Sequence, residues 1–283
     1  MKQLLGIKFV LLAILFALSS PSLADRLETV LAAQSGKVQA RYAARHPHET
    51  LEFFGIQPGT TVIEAFPGGG WYTDILIPLL GNDGQLIGAD YADDMYPKFN
   101  FYNDEYLAAK STWARTWTES AVARSGPNGA RIGAFPFGSM TSDVDGKVDS
   151  VLLIRALHNL ARFQNNGAYL SIALKEIYRA LKPGGAIGVV QHLAPKSATD
   201  EWANGSNGYL KKSFVLETMK KAGFEFVAES DVNLNPNDQP KEGDKVWRLP
   251  PVLATSINDP KLRAELEAIG ETTRMTLLFR KPS

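Results

Sequence analysis

Glu64, Pro67 and the run Gly68-Gly69-Gly70 form the arrangement with the most chemical content in this sequence. Glycines let a backbone come close to a bound molecule, and a helix starting just after them aims unpaired N–H groups at it. The turn suits an adenosine-type ligand. Glu64 either shapes that site or is buried against backbone N–H groups, and both can hold together. Asp90 can accept two hydroxyl hydrogen bonds at once, a task suited to a carboxylate; as a solvated acid it would instead cap the next turn. The sequence has four histidines, His46, His48, His158 and His192. His158, followed by Asn159, is a candidate general base toward a substrate that must lose a proton; its structural alternative is a histidine bonded to a loop carbonyl. His46 and His48 have the spacing of a metal pair, but no third and fourth ligand stands near them.

These residues need a framework that gathers them. Thr61–Phe66 reads as a strand, Trp71–Leu80 as a helix ended by Gly81, and Gln85–Asp90 as a second strand ending in the acid. The segment from Tyr91 to Gly129 is aromatic and helical in pattern. Arg131–Phe135 and the apolar run Val148–Ile154 are strands three and four, the latter of the kind buried in a parallel sheet. A helix at Asn166–Leu181 ends at Lys182-Pro183-Gly184-Gly185, before a fifth strand at Ala186–Val190. His158 follows strand four and His192 strand five, so both sit at strand ends, where open α/β sheets bind ligands. Phe214–Ala222 is a helix, Phe224–Ala228 a strand, Asp231–Pro251 an irregular polar stretch, and Met275–Phe279 the last strand. A short helix starts at Asp259-Pro260, with acid at the N-cap and proline first. Arg26–Ala44 is expected as one helix.

Composition narrows the function classes. Thirty basic and thirty acidic residues cancel, which argues against capture of nucleic acid by charge. The absence of cysteine removes disulfides, a thiol nucleophile and thiolate metal sites. Lys2 and Lys8 precede the apolar run Phe9–Leu18, and Ser22-Leu23-Ala24 offers small residues at the two positions a signal peptidase reads. That is a secretory signal pattern, too short to span a bilayer, which takes about 20 helical residues. The mature chain would begin at Asp25, exported to a periplasmic or extracellular space, with no stable membrane span.

The chain resembles the class I S-adenosylmethionine-dependent methyltransferases. The resemblance rests on Glu64-Ala65-Phe66-Pro67-Gly68-Gly69-Gly70 as an E-x-x-x-G-x-G turn, on Asp90 ending the second strand and on Asp149 opening the fourth. Lys182–Gly185 before the fifth strand and Ala222-Gly223-Phe224 before the sixth agree in order. Thr73 stands where a nicotinamide-binding fingerprint has its third glycine, which disfavours a dehydrogenase. Arg45, Pro47, Glu49-Thr50-Leu51 and the Gly-Gly-Gly-Trp-Tyr turn look closer still to a subgroup of predicted methyltransferases, some with signal peptides. The resemblance implies S-adenosylmethionine as cofactor, with Glu64, Gly68, Gly69 and Gly70 around its methionine end and Asp90 on its ribose. Ser139, after Gly138, falls where the family contacts adenine, though the family has an acid there.

The expectation is therefore an α/β protein with a doubly wound, mainly parallel seven-stranded sheet and helices on both faces. Residues 1–24 would be the signal and 25–283 one domain, with insertions at about 91–129 and about 231–258. Its expected activity is methyl transfer to a small-molecule acceptor, with His158 and Asn159 facing that acceptor and no metal. Two other classes stay open: an exported protein that binds another ligand without catalysis, and a hydrolase or metal enzyme using His158 and His192. No G-x-S-x-G elbow supports a serine hydrolase.

Overall fold

Short β-branched and apolar runs separated by glycine turns build the sheet of this protein, seen in a computed structural model that describes residues 22–283. The strands are Thr61–Ala65 (β1), Gln85–Asp90 (β2), Arg131–Pro136 (β3), Val148–Ile154 (β4), Leu181–His192 (β5), Glu225–Ser230 (β6) and Arg274–Arg280 (β7). Their order across the sheet is β3-β2-β1-β4-β5-β7-β6. All neighbours are parallel except β7, which runs antiparallel to both β5 and β6. The chain winds outward from β1 through β2 to β3, then returns to lay β4 against the other side of β1. That reversal leaves a crevice outside the carboxyl ends of β1 and β4.

Alternation along the strands divides the core between two faces. Ile63, Ile87, Val151, Leu153, Ile187 and Val189 face one layer, and Val62, Leu86, Leu152, Ile154 and Val190 face the other. The N-terminal helices are Leu23–Ala32 (α1), Gly36–Gln39 (α2), Tyr42–Arg45 (α3) and Pro47–Phe53 (α4), followed after β1 by Thr73–Leu80 (α5). The single helix expected over Arg26–Ala44 is thus three pieces, broken at Ser35 and Arg41. His46 adopts a left-handed turn (φ 42°), and Pro47 opens α4 at a position where its missing N–H costs nothing.

After β2 come a 3₁₀ turn over Asp93–Phe99 and the helices Asp104–Lys110 (α6) and Trp113–Ser125 (α7). α7 packs on β2 and β3; a Cβ on Gly88 would lie 2.7 Å from the Trp117 ring, so β2 is bare where Trp117 seats. Leu157–Arg162 (α8) and Tyr169–Ala180 (α9) follow β4, Lys212–Lys221 (α10) follows β5, and Pro260–Ile269 (α11) precedes β7. The fifth strand is longer than its sequence suggests: Leu181 already pairs with Val148, and the register slips before Ser150 meets Ala186. Lys182–Gly185 is therefore a bulge within β5 rather than a separate turn. Residues 231–258 carry a lone 3₁₀ turn, Val246–Arg248.

The run Phe9–Leu18, expected as part of a signal, lies outside the described residues. Leu23 and Ala24, beside the expected cleavage point, form the first turn of α1, which Ser22 caps through a reciprocal pair with Asp25. Among the described residues no helix is long and apolar enough to cross a membrane.

Candidate functional site

Glu64 is 4 % exposed at the end of β1, and its Oε2 accepts a 2.7 Å hydrogen bond from the Thr73 hydroxyl at the start of α5. Burial pushes its carboxyl up to about 7, and the Thr73 hydrogen bond offsets this only in part. Phe66 stands where the turn leaves the sheet, in left-handed backbone (φ 52°) that an aromatic residue rarely adopts. Its ring is stacked on Tyr91, centroids 4.4 Å apart, which holds that conformation. Beyond it Gly68 and Gly69 line a cavity of about 1250 Å³, and no side-chain atom crowds either. Gly70 faces elsewhere: the Arg124 guanidinium, paired with Asp74 at 2.8 Å, occupies the space a Cβ would need.

Asp90 is buried and spoken for. Its Oδ1 accepts from the Tyr91 N–H at 2.9 Å and the Tyr96 hydroxyl at 2.5 Å, and its Oδ2 accepts from Lys110 Nζ at 2.7 Å. Burial and the Asp90 charge drive the Tyr96 phenol well above its usual range, so it stays a donor. Lys110 lies 4.2 Å over the Tyr96 ring and 5.4 Å from that of Tyr106, a cation–π setting. The aromatic insertion thus folds over the carboxylate, which reaches none of the cavities described here. Ser139 is exposed and donates to the Pro136 carbonyl at 2.7 Å; it lines a separate cavity of about 360 Å³ beside Asp93 and Asp94. The structure brings Gly68 and Gly69 to one opening, sets Glu64 behind the turn against Thr73, and leaves Asp90 and Ser139 outside it.

Across the large cavity stand His158 and Asn159, from the first turn of α8 after β4, and His192, from the end of β5. The two imidazoles are 5.5 Å apart, centroid to centroid. His158 Nδ1 is 3.4 Å from Gln191 Oε1, and His192 Nδ1 is 2.6 Å from the Thr272 hydroxyl. Burial holds His158 down at about 4; burial, then His158 itself, holds His192 well below its ordinary value. Both are neutral at pH 7. Asn159 Nδ2 donates to the Tyr91 hydroxyl at 3.3 Å, while its Oδ1 is buried without a partner. Phe99, Phe101 and Tyr102 from the aromatic insertion and Trp247 from the later irregular segment complete an apolar lining.

The same cavity carries a charged floor that sequence reasoning missed. Arg41 and Arg45, from the N-terminal helices, both bond Glu271, with the Arg45 contact at 3.1 Å. Arg274 reaches the same carboxylate at 3.2 Å, and Arg155 stands alongside. Arg41 and Glu271 are 230 residues apart, so no local pattern could join them. The signals that were present are the arginine just beyond β4 and the Glu271–Arg274 spacing before β7. Among the described residues no group of three or more His, Asp or Glu side chains converges as a metal site.

No family model matches the chain. It is 26% identical over 196 residues to the ubiquinone/menaquinone biosynthesis C-methyltransferase UbiE of Teredinibacter turnerae, covering 69% of this chain and 68% of that protein. Among solved structures, a chain of the complex formed by the Haloferax volcanii Trm112 methyltransferase activator superposes with a TM-score of 0.50 at 15% identity, covering 91% of this chain and 98% of that one. A geranyl diphosphate methyltransferase in complex with SAM gives 0.48 at 13% identity, with 90% and 94% covered. With its strand order and its antiparallel β7, the chain has the seven-stranded, Rossmann-like class I methyltransferase fold.

Proposed function

We propose that this chain is an S-adenosylmethionine-dependent methyltransferase acting on a small-molecule acceptor. The observation that carries the reading is that the Gly68-Gly69 turn opens into the same cavity as His158, Asn159 and His192. The fold and the similarity to a C-methyltransferase support it.

The residues fit the cofactor unevenly. Gly68 and Gly69 leave room for the close approach of its methionine end, and Glu64 backs the turn. Asp90 has the right chemistry for ribose hydroxyls, but Lys110 and Tyr96 must release it first. When bound, the cofactor supplies an electrophilic methyl group. The chain's own contribution is alignment, which can be worth about 7–11 kcal/mol at best. His158, neutral because it is buried, can take a proton from an acceptor, and Asn159 lines the same cavity beside it. The aromatic lining suits an acceptor with an apolar or aromatic body.

Calorimetric titration of the purified chain with S-adenosylmethionine and with its demethylated product tests the reading. Both are expected to bind, and Asp90→Ala is expected to weaken both. A folded sample that binds neither would leave a binding protein that keeps the fold without the reaction. On an accepted substrate, His158→Ala should lower kcat about 10²–10⁴-fold, the usual worth of a general base; undiminished turnover removes that role.

We also infer export, from Lys2, Lys8 and the apolar run that follows them. Fractionation of cells with N-terminal sequencing of the exported chain should give Asp25 as the first residue. A chain retained in the cytoplasm with its first residues intact overturns this.

A further inference from the structure

The floor of the large cavity is out of electrical balance. Four guanidiniums, those of Arg41, Arg45, Arg155 and Arg274, surround one carboxylate, Glu271. The Arg45, Arg274 and Glu271 side chains are each 6 % exposed or less, so water does little to neutralise them. Burial pushes the Glu271 carboxyl up, but Arg45 and Arg274 outweigh it and hold the group below its ordinary value, so it is ionised. Arg45 is lowered by burial to about 10 and is still a cation at neutral pH. Four positive charges against one negative leave an excess that a low-dielectric setting penalises heavily unless an anion is added.

Arg155 places that anion on the cavity side. Arg155 lines the cavity, and among the described residues its guanidinium has no hydrogen-bond partner: Glu271 acts on it through charge alone. Behind the lining, Arg274 Nε is buried with no partner among the described residues, so the cluster's donors exceed its acceptors. Asp74, the other acid on the cavity wall, is taken by Arg124. Beyond the floor rise the neutral imidazoles and the rings of Phe99, Tyr102 and Trp247.

We propose that this cavity takes an amphipathic acid: an oxyanion, carboxylate or phosphate, seated on Arg155 and Arg41, with its apolar or aromatic body against the ring-lined wall. Guanidinium forks match such oxyanions with two parallel hydrogen bonds. The proposal names the substrate class for the methyltransferase reading and rests on it; the binding itself does not require the cofactor.

The test uses matched probes without S-adenosylmethionine. The purified chain is titrated calorimetrically with naphthalene-2-carboxylate, with naphthyl phosphate and with the neutral naphthalene-2-carboxamide. At least one anion is expected to bind about tenfold or more tightly than the amide, the worth of a hydrogen bond to a charged group, and the better one tells carboxylate from phosphate. Arg155→Gln should erase the preference, Arg155→Lys should keep part of it, and Arg115→Gln on the exposed face of α7 should leave it intact. If the Arg155 variants do not fold, Arg41→Gln at the half-exposed edge of the cluster supplies the same readout. Equal affinity for acid and amide, binding of none of the probes, or an undiminished preference in Arg155→Gln overturns the proposal. So does displacement of the anion by S-adenosylmethionine, which would assign the cluster to the cofactor's own carboxylate. If S-adenosylmethionine does not bind while the anion still does, the methyltransferase reading fails and this one stands.

Discussion

Glu64 and His158 titrate in opposite senses over nearly the same pH range. Glu64 is raised from 4.5 to about 7, so between these values the unfolded chain has lost a proton that the folded chain keeps. Stability from this group falls as pH rises through that window, by about 3 kcal/mol in total. His158 is lowered from 6.5 to about 4, so there the unfolded chain holds a proton that the folded chain refuses. Its contribution is present above pH 6.5 and is lost as pH falls toward 4, by a similar amount of about 3 kcal/mol. His192, also held below its ordinary value, adds to the His158 side, so Glu64 offsets only part of the two histidines. In Glu64→Gln the thermal midpoint should climb more steeply with pH between 4.5 and 6.5 than in the parent, and in the double variant His158→Gln, His192→Gln it should fall. Calorimetric scans across that range check both, and profiles parallel to the parent's would mean that neither group is shifted. Both residues could be singled out from the sequence by type and neighbours. Their protonation could not, because burial sets it and burial comes from elements far along the chain.

The aromatic insertion is the element that decides access to Asp90. Its 3₁₀ turn brings Tyr96 and α6 brings Lys110 to the same carboxylate, and rings pack around the ammonium. Removing Lys110 leaves a buried charge without its partner, which commonly costs about 3–5 kcal/mol. Lys110→Met should therefore lower the thermal midpoint. It should also respond to S-adenosylmethionine with a larger thermal shift than the parent, because ribose hydroxyls can take the vacated place. Equal shifts in the two proteins would show that Asp90 is not where the ribose binds. The helical character of Tyr91–Gly129 was legible in its spacing, but its closure over the strand end was not. Packing of rings against each other has no sequence period. The N-terminal helices teach the converse: Ser35 and Arg41 break what reads as one continuous helix, and the break turns Arg41 and Arg45 toward β7.

At the scale of the molecule, the charge cluster ties the N-terminal helices to the start of β7. Arg45 and Arg274 converge on Glu271, and Arg274 also bonds the Ala44 carbonyl. Glu271→Gln takes away the one carboxylate among four guanidiniums. It should destabilise the fold by about 3 kcal/mol or more, and added phosphate should restore part of the loss by taking its place. Chemical denaturation with and without phosphate measures both effects; an unchanged midpoint would mean the arginines are neutralised by other means.

By itself the sequence determined the alternation of strands and helices, the parallel sheet and the identity of the acids, glycines and histidines at its strand ends. Those features rest on short-range chemistry: side-chain period, glycine conformation and turn residues. Only the tertiary structure decided which of those residues share a cavity, that Asp90 lies beneath Lys110, and that four arginines face one glutamate. These are matters of distance and dielectric between groups up to 230 residues apart, and no local pattern encodes them.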